Sequence, residues 1–201
     1  MVNTIKPLFI VLSAPSGCGK STLIDLLLQE YHDIAYSVSC TTREVRGDEE
    51  DGVDYHFLSK SRFEELVKEN AFIEYALVHG NYYGTLAAPI AEILREGSSV
   101  ILDIDVQGAE KVRNYVRSLP DDDPMKQGYV DIFINPPSIE ELYERLIKRG
   151  TDSLEVINRR IHNAEGEMAR ASEYMHRVTN DDLRICFKTL CDLIDALSGR
   201  M

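Results

Sequence analysis

The sequence predicts an α/β chain: a parallel sheet flanked by helices, carrying a small inserted unit of mixed or antiparallel strands. Three observations lead there. Short apolar runs recur and are separated by segments of helical periodicity, as buried parallel strands and their crossovers require. Between about residues 35 and 97 the texture changes to short alternating segments without long crossovers, the pattern of antiparallel pairing. With 201 residues, 44% hydrophobic and 28% charged, the chain suits one compact domain with an insertion.

Taken in order, residues 8–13 (Leu-Phe-Ile-Val-Leu-Ser) read as a buried strand, followed by a glycine-rich turn and an apolar-patterned helix from Ser21 to about Glu30. Further buried strands are expected at 99–104, near 129–134 and near 176–179. Inside the insertion, alternating segments lie at 35–40, 54–57 and 72–78. A short helix interrupts them, with a capping box offered by Ser61 and Glu64 and a stop at Asn70. The run 119–125, with three consecutive aspartates, reads as a solvated loop. Ser138 and Glu141 form a second capping box after Pro136 and Pro137. The helix they open puts Arg145 and Arg149 on one face before Gly150 ends it. Another helix starts near Asp152 or Ser153 and carries Arg159 and Arg160. Leu183, Phe187, Leu190, Ile194 and Leu197 recur at helical steps, an apolar face that packs a core. The expected division is therefore a core of residues 1–34 and 98–201 and an insertion of 35–97.

Composition narrows the function classes. The formal net charge is -12, from 34 acidic and 22 basic residues, and so acidic a surface repels a nucleic-acid backbone. Small phosphorylated ligands in a locally cationic cleft reconcile that charge with the basic residues found inside motifs. No apolar run approaches the roughly 20 residues that cross a bilayer, and the apolar stretch near the start is too short for a signal-peptide core. The four cysteines match no zinc spacing. A cytoplasmic location is the simplest expectation, and the oligomeric state stays open between monomer and homo-oligomer.

Ala14-Pro15-Ser16-Gly17-Cys18-Gly19-Lys20-Ser21 follows a strand and opens a helix. It meets the pattern G-x-x-x-x-G-K-[ST] except that Ala14 stands at the first glycine. Glycines let backbone N–H groups turn toward a polyphosphate, and the helix N-terminus adds partial positive charge. Lys20 then reaches the β- and γ-phosphates, and the Ser21 hydroxyl is placed for Mg²⁺. The acid ending the strand 100–103, Asp103, is expected to orient that ion through water. Asp105, two residues on, points to the same side. Cys18, beside a helix N-terminus, is expected to have a lowered pKa, unless it is only a small loop residue.

Several further blocks fall in one register. They are 37–46 with Ser39, Arg43 and Arg46; 54–57 with Tyr55; 72–75 with Glu74; 81–85 with Tyr83 and Thr85; 101–108 with Asp103 and Asp105; and the later Pro136-Pro137-Ser138. Together with the glycine loop they resemble the guanylate kinases over about residues 10–182. The resemblance implies ATP and GMP as substrates, Mg²⁺ with the ATP, and no nucleic acid or membrane partner. It implies that Arg43, Arg46, Tyr55 and Tyr83 hold the acceptor phosphate. Ser39, Glu74 and Thr85 would contact the base, with Asp105 beside them. It further implies a helical lid at about 136–160 from which Arg145, Arg149 and Arg160 work, and that Asn180 lies near the adenine or caps the last helix. Alkylation of Cys18 is expected to inactivate the enzyme, with protection by ATP.

Chemistry agrees with that implication. Guanine presents N1–H and an N2 amine on one edge, and a carboxylate accepts from both, whereas adenine offers a bare acceptor there. GMP is largely dianionic at neutral pH and needs little help from a base. The obstacle is repulsion between two polyanions, which Lys20, Mg²⁺ and the lid arginines would relieve. Two rivals stand beside this reading. One is a phosphopeptide-binding module of the guanylate-kinase-like kind, against which the intact glycine loop argues. The other is a kinase for AMP or a pyrimidine monophosphate, against which Glu74 argues.

Overall fold

A computed structural model describes residues 5–200; residues 1–4, part of the segment read above as no leader, and Met201 lie outside it. The chain opens with β1 (Phe9–Ser13), α1 (Lys20–Glu30), β2 (Ile34–Tyr36), β3 (Cys40–Thr41), β4 (His56–Phe57) and α2 (Lys60–Lys68). It continues with β5 (Phe72–Val78), β6 (Asn81–Leu86), α3 (Ala87–Arg95), β7 (Ser99–Asp103), α4 (Val106–Ser118) and α5 (Pro124–Gly128). The last elements are β8 (Tyr129–Asn135), α6 (Ile139–Arg149), α7 (Leu154–Ala169), β9 (His176–Thr179) and α8 (Leu183–Ser198).

Five strands form one parallel sheet in the order β2-β7-β1-β8-β9. The apolar run of β1 explains its central place, because Phe9, Ile10, Val11 and Leu12 are all fully buried. Successive side chains go to opposite faces. Ile10 and Leu12 pack with Leu23 and Leu27 of α1 and Leu190 and Ile194 of α8. Phe9 and Val11 pack with Ile90 of α3 and Val112 and Val116 of α4 on the other face. Asp131 of β8 is fully buried, and Arg113 Nε (2.8 Å), the Tyr129 hydroxyl (3.0 Å) and the Met175 N–H (2.7 Å) donate to it, so the charge is paired inside the sheet.

A second sheet has the order β4-β3-β6-β5, with β3 and β4 parallel and the other pairs antiparallel. His79 and Gly80 both have positive φ (48° and 85°), which gives the tight β5–β6 hairpin its turn. Gly84 on β6 leaves no room for a side chain, since a Cβ there would lie 2.9 Å from that of Tyr75.

Several sequence expectations need correction. The segment 35–40 is not one antiparallel strand: Ile34–Tyr36 pairs parallel with β7, and only Cys40–Thr41 joins the second sheet. Three residues of alternation do not distinguish the two sheets, and burial of Ile34 against the helix α1 side decides. The run 119–125 is not all loop. Asp123 accepts from Met125 N–H at 2.8 Å, Pro124 sits in the first turn of α5, and Met125 is buried. α2 is capped by Ser59, whose Oγ accepts from Arg62 N–H at 3.2 Å, and not by Ser61. Ser59→Ala is accordingly expected to lower stability by about 1 kcal/mol, and Ser61→Ala by clearly less, in urea unfolding; the reverse order would restore Ser61 as the cap. Ser138 does cap α6, accepting from Glu141 N–H at 3.1 Å, and Gly150 ends that helix with φ 68°.

Candidate active site

β1 delivers the chain to the glycine loop at the carboxyl end of the sheet, and α1 leaves it. Gly17 (φ 94°) and Gly19 (φ 84°) take the left-handed conformations that turn the backbone there, while Ala14 is in no such conformation and its side chain is tolerated. Gly17 is also sterically required, because a Cβ would lie 2.7 Å from Leu146 Cδ2 of α6. α1 begins at Lys20 without a side-chain cap and without an acid in its first turn. Its N–H groups and dipole are therefore offered to an anion. A cavity of about 710 Å³ opens over the loop, lined by Ala14, Pro15, Ser16, Gly17, Gly19, Lys20 and Ser21, with Asp103, Asp105, Arg145, Arg149 and Glu167 opposite.

Lys20 Nζ donates to Asp103 Oδ1, a pairing of the loop lysine with the acid ending β7 that the sequence reading does not anticipate. Phosphate oxygens entering the cradle compete with Asp103 for this lysine. The donor set at that spot is one hydroxyl and one carboxylate, and among the described residues no group of three or more His, Cys, Asp or Glu side chains could hold a metal. Such a set fits Mg²⁺, which keeps water and takes phosphate oxygens rather than an all-protein cage.

Cys18 departs from expectation. Its side chain is 1% exposed among the apolar residues beneath the sheet's carboxyl end, and its Sγ lies 3.5 Å from the Ile134 carbonyl. Burial pushes its pKa up to about 12, outweighing the nearby Arg145. Only its backbone faces the loop, so the expected thiolate and its ATP-protected alkylation are withdrawn. Iodoacetamide at neutral pH is expected to leave Cys18 unlabelled with or without ATP and to label it on unfolding, as peptide mass spectrometry would read. Rapid native labelling that ATP slows would contradict the burial.

The helices α6 and α7, expected above to form a lid, pack on each other through Leu142, Leu146, Ile157 and Ala164. Arg145 Nη1 and Nη2 donate to the carbonyls of Asn180 (2.8 Å) and Asp181 (3.0 Å), and its Nε to Glu141 (3.1 Å). Arg149 is exposed at the cavity rim. Arg160 of α7 donates to Ser16 Oγ at 2.9 Å and pairs with Asp152 at 3.5 Å. Asn180 is buried and its Nδ2 donates to the Cys18 carbonyl at 2.8 Å, bracing the loop from behind. It does not cap α8; Asp182 does, accepting from Arg184 and Ile185 N–H.

A second cavity, about 550 Å³, is lined by Ser39, Tyr55, Glu74, Tyr83, Gly84, Asp103, Asp105, Gly108 and Lys111 among others. Asp103 and Asp105 line both cavities, so the two meet beyond the carboxyl end of β7, beside the switch in strand order. Glu74 is 9% exposed and accepts from Thr85 Oγ1 at 2.9 Å. Burial, more than any neighbouring charge, holds its carboxyl above the usual range. Thr85 is itself buried and steadies Glu74 from behind rather than lining the cavity. The rings of Tyr55 and Tyr83 meet edge to face, 6.0 Å apart.

The arginine pair is less assembled than its spacing promised. Arg43 is buried, forks onto Glu49 (2.8 and 2.9 Å), and lies 5.3 Å from the Tyr55 ring, outside the cavity wall. Glu49 is also the main reason the Arg43 guanidinium holds its proton even more firmly than usual. Arg46 is exposed, and its backbone N–H donates to Glu49 at 2.9 Å. Asp105 caps α4, accepting from Gly108 N–H at 2.7 Å, while its side chain also borders the cavity. Two charged wall residues escaped sequence reasoning. Glu167 follows Arg160 by seven residues, two helical turns on the same face, a spacing that could have flagged it. Lys111 follows Gly108 by three, and nothing in its sequence context marks it.

A glycine-loop phosphate cradle at the end of a parallel sheet, opening onto a second polar cavity under a helical lid, defines a P-loop phosphotransferase of the nucleoside monophosphate kinase class. The guanylate kinase family model matches residues 6–197, and the chain belongs to the guanylate kinase family. It is 43% identical to the guanylate kinase of Sulfurimonas denitrificans over 93% of this chain and 86% of that one. It is 42% identical to that of Rickettsia felis over 95% and 94%. The crystal structure of guanylate kinase from Anaplasma phagocytophilum superposes with a TM-score of 0.72 at 29% identity, covering 98% of this chain and 89% of that one.

Proposed function

We propose that this chain transfers the γ-phosphoryl group of ATP to GMP, giving ADP and GDP, and accepts dGMP as well. Family membership supports the reaction class. The observation that carries the choice of acceptor is Glu74, a buried carboxylate held by the Thr85 hydroxyl in the wall of a cavity adjoining the phosphate cradle. Its oxygens accept from guanine N1–H and N2–H, and adenine would leave them unpaired.

The donor triphosphate lies on the loop 14–21, with Lys20 at its β- and γ-oxygens. Ser21, and Asp103 through water, would hold Mg²⁺, which when bound neutralises charge on those oxygens. Arg145, Arg149 and Arg160 close over the transferring group from the lid and help exclude water, so that hydrolysis does not compete. At the acceptor end Arg43, Arg46, Tyr55 and Tyr83 hold the monophosphate, which requires the Arg43 guanidinium to leave Glu49 and Arg46 to swing in from solvent. Ser39 completes the base pocket, and the inserted sheet β3–β6, without the β2 residues that join the parallel sheet, serves as the acceptor unit. Asn180 acts through the loop backbone that it braces. Among the described residues no helix is long and apolar enough to cross a membrane; a cytoplasmic setting is supported by four free cysteines.

Turnover of ATP with GMP in a coupled assay tests the proposal against the binding-module alternative. Steady ADP formation that requires both GMP and Mg²⁺ supports it. GMP binding without turnover would leave a recognition module.

A further inference from the structure

We propose that Lys111 is a positioning residue that clamps the strand carrying Glu74 and keeps Glu74 in the charged form able to read the acceptor base. This rests on the reading of Glu74 given above. Lys111 stands on α4, one turn beyond Gly108, and its Nζ donates to the Tyr75 carbonyl at 2.6 Å. That bond fixes an ammonium beside the residue next to Glu74. It also ties β5 of the four-stranded sheet to a helix of the parallel-sheet body.

Besides Lys111, Thr85 is the group that stabilises the charge on Glu74. Thr85 supplies one hydroxyl donor from β6. The remaining titratable groups around the cavity are the phenols of Tyr55 and Tyr83 and two carboxylates, Asp103 at the end of β7 and Asp105 at the start of α4. The carboxylates oppose ionisation of a third. Burial pushes the Glu74 carboxyl up; the Thr85 hydroxyl and, after it, the Lys111 charge pull it down, and Asp105 pushes it up. Because Lys111 is exposed, its pull is modest and screened by salt.

The test compares wild type, Lys111→Gln and Lys111→Arg in kcat/KM for GMP between pH 5.5 and 8, at low and high salt. Beside it, a carboxyl ¹³C NMR titration of Glu74 in the protein without nucleotide, assigned with Glu74→Gln, reads the same group without catalysis. In Lys111→Gln the acid limb is expected to move to higher pH, so that the ratio of kcat/KM at pH 8 to that at pH 5.5 grows roughly threefold. The Glu74 titration should move the same way, Lys111→Arg should restore both, and high salt should shrink the difference. An unchanged pH profile, or a loss equal at every pH as a broken tether alone would give, overturns the proposal. Failure of the guanylate reading itself would show separately, in wild-type protein that turns over no GMP.

Discussion

Replacing Lys20 with alanine is expected to lower kcat for transfer from ATP to GMP by roughly 10³-fold or more, with the Kd for GMP changed by less than about twofold. The size follows from what the lysine faces. Charge on the β–γ bridging and γ-oxygens shifts during transfer, and a fixed ammonium in a cavity closed by the lid acts there at full strength. Lys20 is the first residue of α1, pointing from the glycine loop into the cradle, and Asp103 already holds it in place. Arginine should not rescue it, because a planar guanidinium fork does not reproduce the compact point charge of an ammonium. Steady-state kinetics, with the Kd for GMP measured by calorimetry, checks the split. A variant retaining more than a tenth of wild-type kcat would remove Lys20 from the chemistry.

Glu74→Gln is expected to lower kcat/KM for GMP by more than roughly tenfold, a loss of at least about 1.4 kcal/mol in transition-state binding, with ATP affinity unchanged. Glutamine keeps the shape and the Thr85 contact but presents an N–H₂ where guanine also presents a donor. The same substitution should act oppositely on stability. Burial raises the Glu74 carboxyl, so folding favours its protonated form. The stability this gives is present at pH below the ordinary carboxylate range and is lost as pH rises through the raised value. Above that raised value the ionised, buried Glu74 therefore costs stability, and the glutamine variant should melt higher than wild type there, with the advantage disappearing in acid. A variant both less active and less stable above that value would mean that Glu74 holds the fold rather than the base.

The sheet and the phosphate cradle were legible because each is specified locally. β1 is a run of apolar residues and the loop after it carries glycines where left-handed backbone is needed, so motif and conformation coincide. Glu74 was legible only through its neighbours in register, since an isolated strand acid gives no sign of being buried. What escaped depends on contacts between distant segments. Cys18 sits where a helix N-terminus lowers thiol pKa, yet packing beneath β8 reverses the sign, and no local rule sees that packing. Arg43 and Arg46 share a loop, but Glu49 captures the guanidinium of one and only the backbone of the other. Lys111 matters through a carbonyl 36 residues away in sequence. β2 was assigned to the wrong sheet because three residues carry too little pattern to choose a partner.

One competition assay reaches the central claim, that a single carboxylate selects the purine: kcat/KM for GMP, IMP and AMP as acceptors of the ATP γ-phosphoryl under identical conditions. IMP keeps N1–H but lacks the N2 amine, and AMP lacks both donors. The expected order is GMP, then IMP lower by about tenfold or more, then AMP lower by roughly 10⁴-fold or more, with Glu74→Gln narrowing the span. AMP phosphorylated within tenfold of GMP, or a Glu74→Gln variant with undiminished preference for GMP, would contradict it.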